Sequence, residues 1–306
     1  MALNVPPPPA MTYRNALAVL SISTLMLAQE NPVTTFRTDS NLVSLNVSVF
    51  DQDGRVVKGL PRSAFTVFED NQKQEIKGFA QEDVPISLGL LVDTSGSMSN
   101  KRERVSSAAL AMVKASNPDD EVFVISFSEE AFIRQGFTSD VKQLEASLRE
   151  MGSKGETAMR DALSLGLDYL RAHSKKDKRV LLVITDGEDN SSIQKEENLI
   201  RAAHLSNVII YGIGILGSEE PASAQRARVS LETLTLATGG RAWFPNNVAD
   251  IETITPEIAH EIRNQYVISY TPENTANAGV FRSIRVEVNV SSFTVRTRSG
   301  YYPRGR

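Results

Sequence analysis

The chain has 306 residues, of which 41% are hydrophobic and 23% charged, and its formal net charge at pH 7 is −4. This composition is ordinary for a globular protein, the length allows one sizeable domain plus a smaller one, and the slightly acidic balance argues against a nucleic-acid-binding surface. The sequence contains no cysteine, which excludes disulfides, thiolate metal sites and cysteine nucleophiles.

The N-terminus predicts export. A short apolar stretch at residues 16–28 follows Arg14 and precedes the polar Gln29. It is short for a membrane span, and its basic start and small-residue end are typical of a signal peptide. We therefore predict a signal peptide over residues 1–28, a secreted or periplasmic protein, and no stable membrane insertion after cleavage. An uncleaved anchor or a buried helix is the alternative, and Met11 is a second candidate for the start.

Two β-rich segments flank the middle of the chain. Within residues 36–83, apolar and polar side chains alternate between Asn41 and Phe50, and no helical pattern follows. Within residues 264–303, alternation returns between Ile284 and Val290. Because neither segment has helices to cover its strands, we predict that both pair into one β-sandwich beside the central domain. Two unrelated hairpins packed on the central sheet are the alternative.

Residues 84–263 alternate strands with helices. Apolar runs at residues 86–92, 121–127, 180–184 and 208–215 are typical of strands buried on both faces, and amphipathic segments lie between most of them. Such alternation predicts a doubly wound, mainly parallel, Rossmann-like α/β sheet covered by helices on both faces.

Oxygen-bearing side chains occur at the ends of two predicted strands and at the start of a helix. Asp93, Ser95 and Ser97 lie on one turn directly after the run at 86–92; Thr157 begins a later helix; Asp186 follows the run at 180–184. Open α/β sheets bind ligands at the carboxyl ends of their strands, and hard oxygens suit Mg²⁺, Mn²⁺ or Ca²⁺. The alternative is that Asp93 and Ser95 only cap the following helix.

The order of these stretches resembles the von Willebrand factor type A domain. That family carries an Asp-x-Ser-x-Ser turn, a distant Thr and a later Asp-Gly, together called the metal-ion-dependent adhesion site. The resemblance implies that a divalent metal is held by Asp93, Ser95, Ser97, Thr157 and Asp186. It also implies that a protein partner fills the exchangeable metal position with an acidic residue.

The flanking segments also resemble a family of bacterial proteins. Residues 51–57, 65–70 and 300–303 look like those of exported proteins related to von Willebrand factor type A. This resemblance supports the fold more than the function, because the biochemistry of that family is poorly defined.

Three readings of function follow. The first is a metal-dependent protein-binding module without catalytic activity, and the second is an envelope scaffold with a structural metal. The third is a metal-dependent hydrolase, but a serine nucleophile requires a histidine base, and His173, His204 and His260 lie in no motif.

Four further polar residues lie close to the predicted ligands in sequence. We expect Asp161 to act at the start of its helix or behind the metal ligands, not as a ligand itself. Glu188, Asp189 and Asn190 could shape the rim of the site, but we expect them to form a solvated loop.

Overall fold

The computed structural model describes residues 42–303 except 82, 115–116, 150–151, 153, 219 and 274–278. The predicted signal peptide at residues 1–28 and the beginning of the predicted β segment at 36–41 lie outside the described residues.

The described elements follow the predicted succession of strands, then alternating strands and helices, then strands. The first strands are β1 Val43–Phe50, β2 Phe65–Glu69, β3 Gln72–Gln74 and β4 Ile76–Ala80. The alternating part contains β5 Ile86–Asp93, α1 Arg102–Lys114, β6 Glu121–Phe127, β7 Ala131–Thr138, α2 Val141–Arg149, α3 Met159–His173, β8 Lys178–Thr185, α4 Glu196–Ser206, β9 Val208–Gly214, α5 Pro221–Thr238, β10 Ala242–Trp243 and α6 Ile251–Arg263. The last strands are β11 Tyr266–Tyr270, β12 Arg282–Val288, β13 Thr294–Arg296 and β14 Gly300–Tyr301.

The central sheet has six strands in the order β10-β9-β8-β5-β6-β7. All neighbouring pairs are parallel except β6 and β7, which are antiparallel at one edge. Strand β5 is buried at all eight positions because helices cover both of its faces. On one face, α1, α2 and α6 contribute to the core, and on the other face α3, α4 and α5 do so. The doubly wound, mainly parallel sheet is confirmed.

Two antiparallel sheets pack against each other to form a β-sandwich. One has the order β13-β1-β11-β4 and the other β14-β12-β2-β3. Strands from the two ends of the chain alternate, since β11 lies between β1 and β4, and β12 pairs with β2. Fully buried residues such as Leu45, Val67 and Ile268 belong to the shared core. A sandwich built from both chain ends is thus confirmed.

Polar side chains connect the sandwich to the α/β sheet. The Gln265 side-chain amide donates hydrogen bonds to Ser48 of β1, at 3.0 Å, and to Tyr211 of β9, at 3.1 Å. Arg296 of β13 forms an ion pair with the buried Glu261 of α6 at 3.1 Å. The described residues between 42 and 303 accordingly belong to one compact unit. Separate domains bounded at 83/84 and 263/264 stay a prediction.

Among the residues that the structure describes, no helix is long and apolar enough to cross a membrane.

A buried carboxylate joins the two sheets of the sandwich. Glu69 of β2 forms an ion pair with Arg282 of β12 at 2.8 Å, and both side chains are nearly inaccessible. The hydroxyl groups of Tyr270 and Tyr301 donate hydrogen bonds to the same carboxylate, at 2.7 and 3.0 Å. Since Tyr270 belongs to the opposite sheet, this cluster fixes the packing of strands from both chain ends.

We predict that Glu69→Gln lowers the free energy of unfolding by about 3 kcal/mol, because a buried arginine loses its ion-pair partner. The exposed Glu75, which pairs with Lys77, supplies the control Glu75→Gln, which should change it little. Urea denaturation of both variants is the measurement. Equal stability of the two variants would show that the cluster does not hold the sandwich together.

Candidate metal centre

The site begins at the carboxyl ends of two neighbouring parallel strands. Strand β5 ends at Asp93, and Asp186 follows directly after β8. The register pairs Val92 with Ile184, so Asp93 and Thr185 are the next residues on the two strands. The Thr185 hydroxyl donates a 2.6 Å hydrogen bond to Asp93 Oδ2. The sheet therefore brings two carboxylates that are 93 positions apart in the chain to one edge.

The turn after β5 links these carboxylates through hydroxyl groups. The Ser95 backbone N–H donates to Asp93 Oδ1 at 2.8 Å, and the Ser95 and Ser97 hydroxyl oxygens lie 3.1 Å apart. The Ser97 hydroxyl donates a hydrogen bond to Asp186 Oδ1 at 2.7 Å. Asp93, Ser95 and Asp186 are buried, whereas Ser97 is exposed. A continuous row of oxygen atoms thus runs from the sheet edge to the surface.

Lys101 completes the environment of Asp186. Its ammonium group lies 2.5 Å from Asp186 Oδ2, and the lysine side chain is only 9% exposed. Lys101 therefore places a positive charge on one of the predicted metal ligands, although no motif in the sequence marks it.

Thr157 approaches the turn through its own loop. The Gly96 N–H donates to the Gly155 carbonyl at 3.1 Å, and the Lys154 N–H donates to the Thr94 carbonyl at 2.8 Å. These two backbone bonds hold the loop before α3 against the turn after β5. Thr157 is 4% exposed. The structure thus brings all five predicted site residues to the same edge of the sheet, with Thr157 joined to the others through neighbouring backbone.

The residues after Asp186 form a partly solvated loop, in which Asn190 is exposed, but their side chains also make specific contacts. Asn190 accepts the Thr157 N–H through its side-chain oxygen at 2.9 Å. Asp189 accepts the Arg160 N–H at 2.7 Å, and its side chain is 3% exposed. Glu188 pairs with Arg226 at 2.7 Å. Asn190 and Asp189 fix the loop that carries Thr157 and the start of α3, whereas Glu188 contacts α5.

Asp161 lies in the first turn of α3. Its carboxylate accepts the backbone N–H groups of Ile193 and Gln194, at 3.0 and 2.8 Å. It therefore holds the segment after Asp189 against the helix and is a support of the site's surroundings.

Burial is the main electrostatic feature of the site. Desolvation raises the pKa of Asp93 to about 6, with the nearby Asp186 charge adding to this rise and hydrogen bonds from Thr185 and Ser95 opposing it. A carboxylate in such a place is more stable beside a cation.

The donor set fits a hard divalent cation. Two carboxylates and several hydroxyl groups converge, and the Ser97 hydroxyl, which donates a hydrogen bond to Asp186, keeps oxygen lone pairs for a metal. The Lys101 ammonium on Asp186 shows that the edge already binds positive charge. Over the described parts of the chain, no group of three or more His, Cys, Asp or Glu side chains could hold a metal, so a metal here depends on the hydroxyl ligands.

Comparison with known proteins finds a family match within the α/β part. Residues 88–188 match the family model of the von Willebrand factor type A domain. Over 105 residues the chain is 32% identical to an uncharacterized protein of Borreliella burgdorferi, covering 33% of this chain and 30% of that protein. A Synechocystis protein, also uncharacterized, is 32% identical over 111 residues, 35% of this chain and 26% of that protein. The chain thus spans less than a third of the length of these relatives.

Solved structures share the fold at low sequence identity. A von Willebrand factor type A protein from Catenulispora acidiphila superposes with a TM-score of 0.51 and 12% identity, covering 87% of this chain and 75% of that one. Proximal thread matrix protein 1 of the mussel byssus, solved with zinc in its MIDAS motif, superposes with a TM-score of 0.50 and 15% identity, covering 63% and 49%.

The matched range 88–188 includes both the turn after β5 and the acid after β8, and the fold agrees over most of the chain. Residues 88–188 of the chain therefore match the von Willebrand factor type A domain, and the chain shares the fold of solved proteins of that type.

Proposed function

We propose that the chain is an exported, adhesion-type protein-binding module whose metal-ion-dependent adhesion site consists of Asp93, Ser95, Ser97, Thr157 and Asp186. The observation that carries this proposal is the hydrogen-bonded row from Asp93 through Ser95 and Ser97 to Asp186, which starts in the buried sheet edge and reaches the surface. Domains of this family are in general non-catalytic interaction modules.

The chemistry of the donors favours Mg²⁺, with Mn²⁺ or Ca²⁺ as substitutes, because all the ligands are hard oxygens. Zn²⁺ belongs in the test, since the mussel byssus protein of the same fold holds zinc in its MIDAS motif. The bound metal would supply an exchangeable coordination position at the exposed edge beside Ser97. The partner would then be a protein that presents an Asp or Glu side chain to this position.

We predict that Asp93→Asn weakens the binding of Mg²⁺ or Mn²⁺ at least about tenfold, because one of the two buried charges that balance the cation is lost. Asp168→Asn is the matched control, since Asp168 lies on the exposed surface of α3 in a pair with Arg171. Isothermal titration calorimetry on both variants and the unchanged chain gives the answer. Unchanged metal affinity in Asp93→Asn would refute the assignment.

The residues at this edge of the sheet give little support to the alternative that the protein is a hydrolase. A serine nucleophile needs a base within hydrogen-bond reach, and the three histidines contact other groups. His173 contacts the Tyr169 carbonyl at 3.1 Å, His204 the Ala237 carbonyl at 2.8 Å, and His260 the side chain of Asn264 at 3.2 Å. The Ser95 and Ser97 hydroxyl groups are instead hydrogen-bonded to each other, and Ser97 also donates to Asp186, an arrangement that suits metal ligands better than nucleophiles.

We predict that the immobilised protein retains a partner from an extract of the source cell envelope only when Mg²⁺ is present. Chelation with EDTA should release the partner, and re-addition of Mg²⁺ should restore its binding. Asp93→Asn should retain none, whereas Asp168→Asn should behave like the unchanged protein.

This experiment separates the alternatives. A scaffold with a structural metal would melt at a higher temperature with Mg²⁺ but retain nothing in a metal-dependent manner. A hydrolase would show metal-dependent turnover of a substrate.

Export is a separate part of the proposal and rests on the N-terminal sequence. We predict that the protein isolated from its native host begins near Gln29, because the apolar stretch at 16–28 ends there. N-terminal sequencing of envelope and cytoplasmic fractions is the measurement. Protein that keeps Met1 or Met11 in the cytoplasmic fraction would contradict export.

A further inference from the structure

The Lys101 side chain lies among the proposed metal ligands. Its ammonium group is 2.5 Å from Asp186 Oδ2, and Ser97 occupies the other oxygen of the same carboxylate at 2.7 Å. Asp186 is completely buried. Both oxygens of a proposed ligand are thus engaged within the protein itself, one of them by a positive charge.

The backbone around Lys101 holds this charge in place. Its N–H donates to the Met98 carbonyl at 3.0 Å, and its carbonyl accepts the Val105 N–H at 3.1 Å. Met98 is fully buried in the core of the α/β sheet. Lys101 therefore lies between the anchored turn and the first turn of α1. These backbone bonds hold its main chain, and the ion pair with Asp186 holds its ammonium group.

The formal charges of the site show what this lysine does. Asp93 and Asp186 together carry −2, and Lys101 reduces this to −1. A divalent cation would bring the site to +1 with the lysine and to zero without it. Lys101 therefore opposes the entry of a metal by like-charge repulsion, and it leaves the loaded site with a positive charge that favours an anion.

We propose that Lys101 is a built-in counter-cation that weakens metal binding to this site and strengthens the binding of a carboxylate ligand to the metal-loaded site. This inference rests on the proposed function, since it concerns the same metal and the same acidic partner. One residue would then lower the affinity of the site for the metal and raise the affinity of the loaded site for the carboxylate ligand. The site would then bind a metal ion alone with moderate affinity, and it would bind the metal more tightly when the acidic ligand is also present.

The test uses Lys101→Met, which removes the charge and keeps a side chain of similar length. Lys114→Met is the matched control, because Lys114 is exposed at the carboxyl end of α1, the helix that Lys101 directly precedes. Mn²⁺ is titrated calorimetrically into each full-length variant, and we expect about tenfold tighter binding for Lys101→Met and unchanged binding for Lys114→Met. Lys101→Gln serves as a second neutral variant and should also bind Mn²⁺ more tightly.

The second measurement follows acetate on the Mn²⁺-saturated proteins by the paramagnetic relaxation of its ¹³C nuclei. The dissociation constant of acetate should be about threefold higher for Mn²⁺-loaded Lys101→Met than for the loaded wild type and the loaded Lys114→Met control. Thermal melting gives a third result: Lys101→Met should melt at a lower temperature than wild type without metal, and Mn²⁺ should raise its melting temperature by more.

Two results would overturn the inference alone: Mn²⁺ binding in Lys101→Met and Lys101→Gln that is no tighter than in wild type, or acetate that binds all loaded proteins equally. If wild type itself binds no Mn²⁺, the proposed function fails and this inference fails with it.

Discussion

The site depends on one constraint, which is that two carboxylates end neighbouring parallel strands inside the protein. Strands β5 and β8 share a register, so Asp93 and Asp186 must emerge at the same edge. Both residues are almost wholly inaccessible. Two buried negative charges repel each other and lose hydration, so positive charge or hydrogen-bond donors must lie nearby. Thr185, Ser95 and Ser97 supply the donors, and Lys101 supplies the charge.

The surrounding loops make this arrangement rigid. The turn after β5 is tied to the loop before α3 by the backbone bonds of Gly96 and Thr94, and that loop is tied in turn to Asn190. Each of these hydrogen bonds joins segments that are distant in the chain. The loops themselves extend from the central sheet, which helices cover on both faces. A site whose ligands are already positioned loses less conformational entropy when it binds a metal or a partner. The β-sandwich lends further support, since Arg296 and Gln265 hold it to α6 and β9.

Much of the fold was predictable from sequence, because the signals are local. Apolar runs that end in Asp93 and Asp186 specify buried strands, and the β–α alternation specifies their parallel order. Uncovered alternating segments at both ends indicated a shared sandwich. The order of its strands, with β11 between β1 and β4, depends on long-range pairing, which sequence periodicity does not encode.

The contacts around the site were less predictable, because they are non-local. Lys101 follows Ser97 by four residues and looks like a solvated charge before a helix. It is buried only because Met98 anchors the turn and Asp186 arrives from another strand. In the sequence, Asn190 and Asp189 look like ordinary loop residues. Their partners Thr157 and Arg160 lie about 30 positions earlier in the chain, so the contacts are visible only in the structure. Candidate ligands were found through a motif, whereas the groups that position them required the structure.

The most direct test of a metal centre between β5 and β8 is anomalous diffraction from crystals of the protein grown with Mn²⁺. The account predicts one strong anomalous peak at the sheet edge, in contact with the Ser95 and Ser97 hydroxyl oxygens and close to Asp93 and Asp186. No peak there at saturating Mn²⁺, or a peak only at other surface carboxylates, would contradict it.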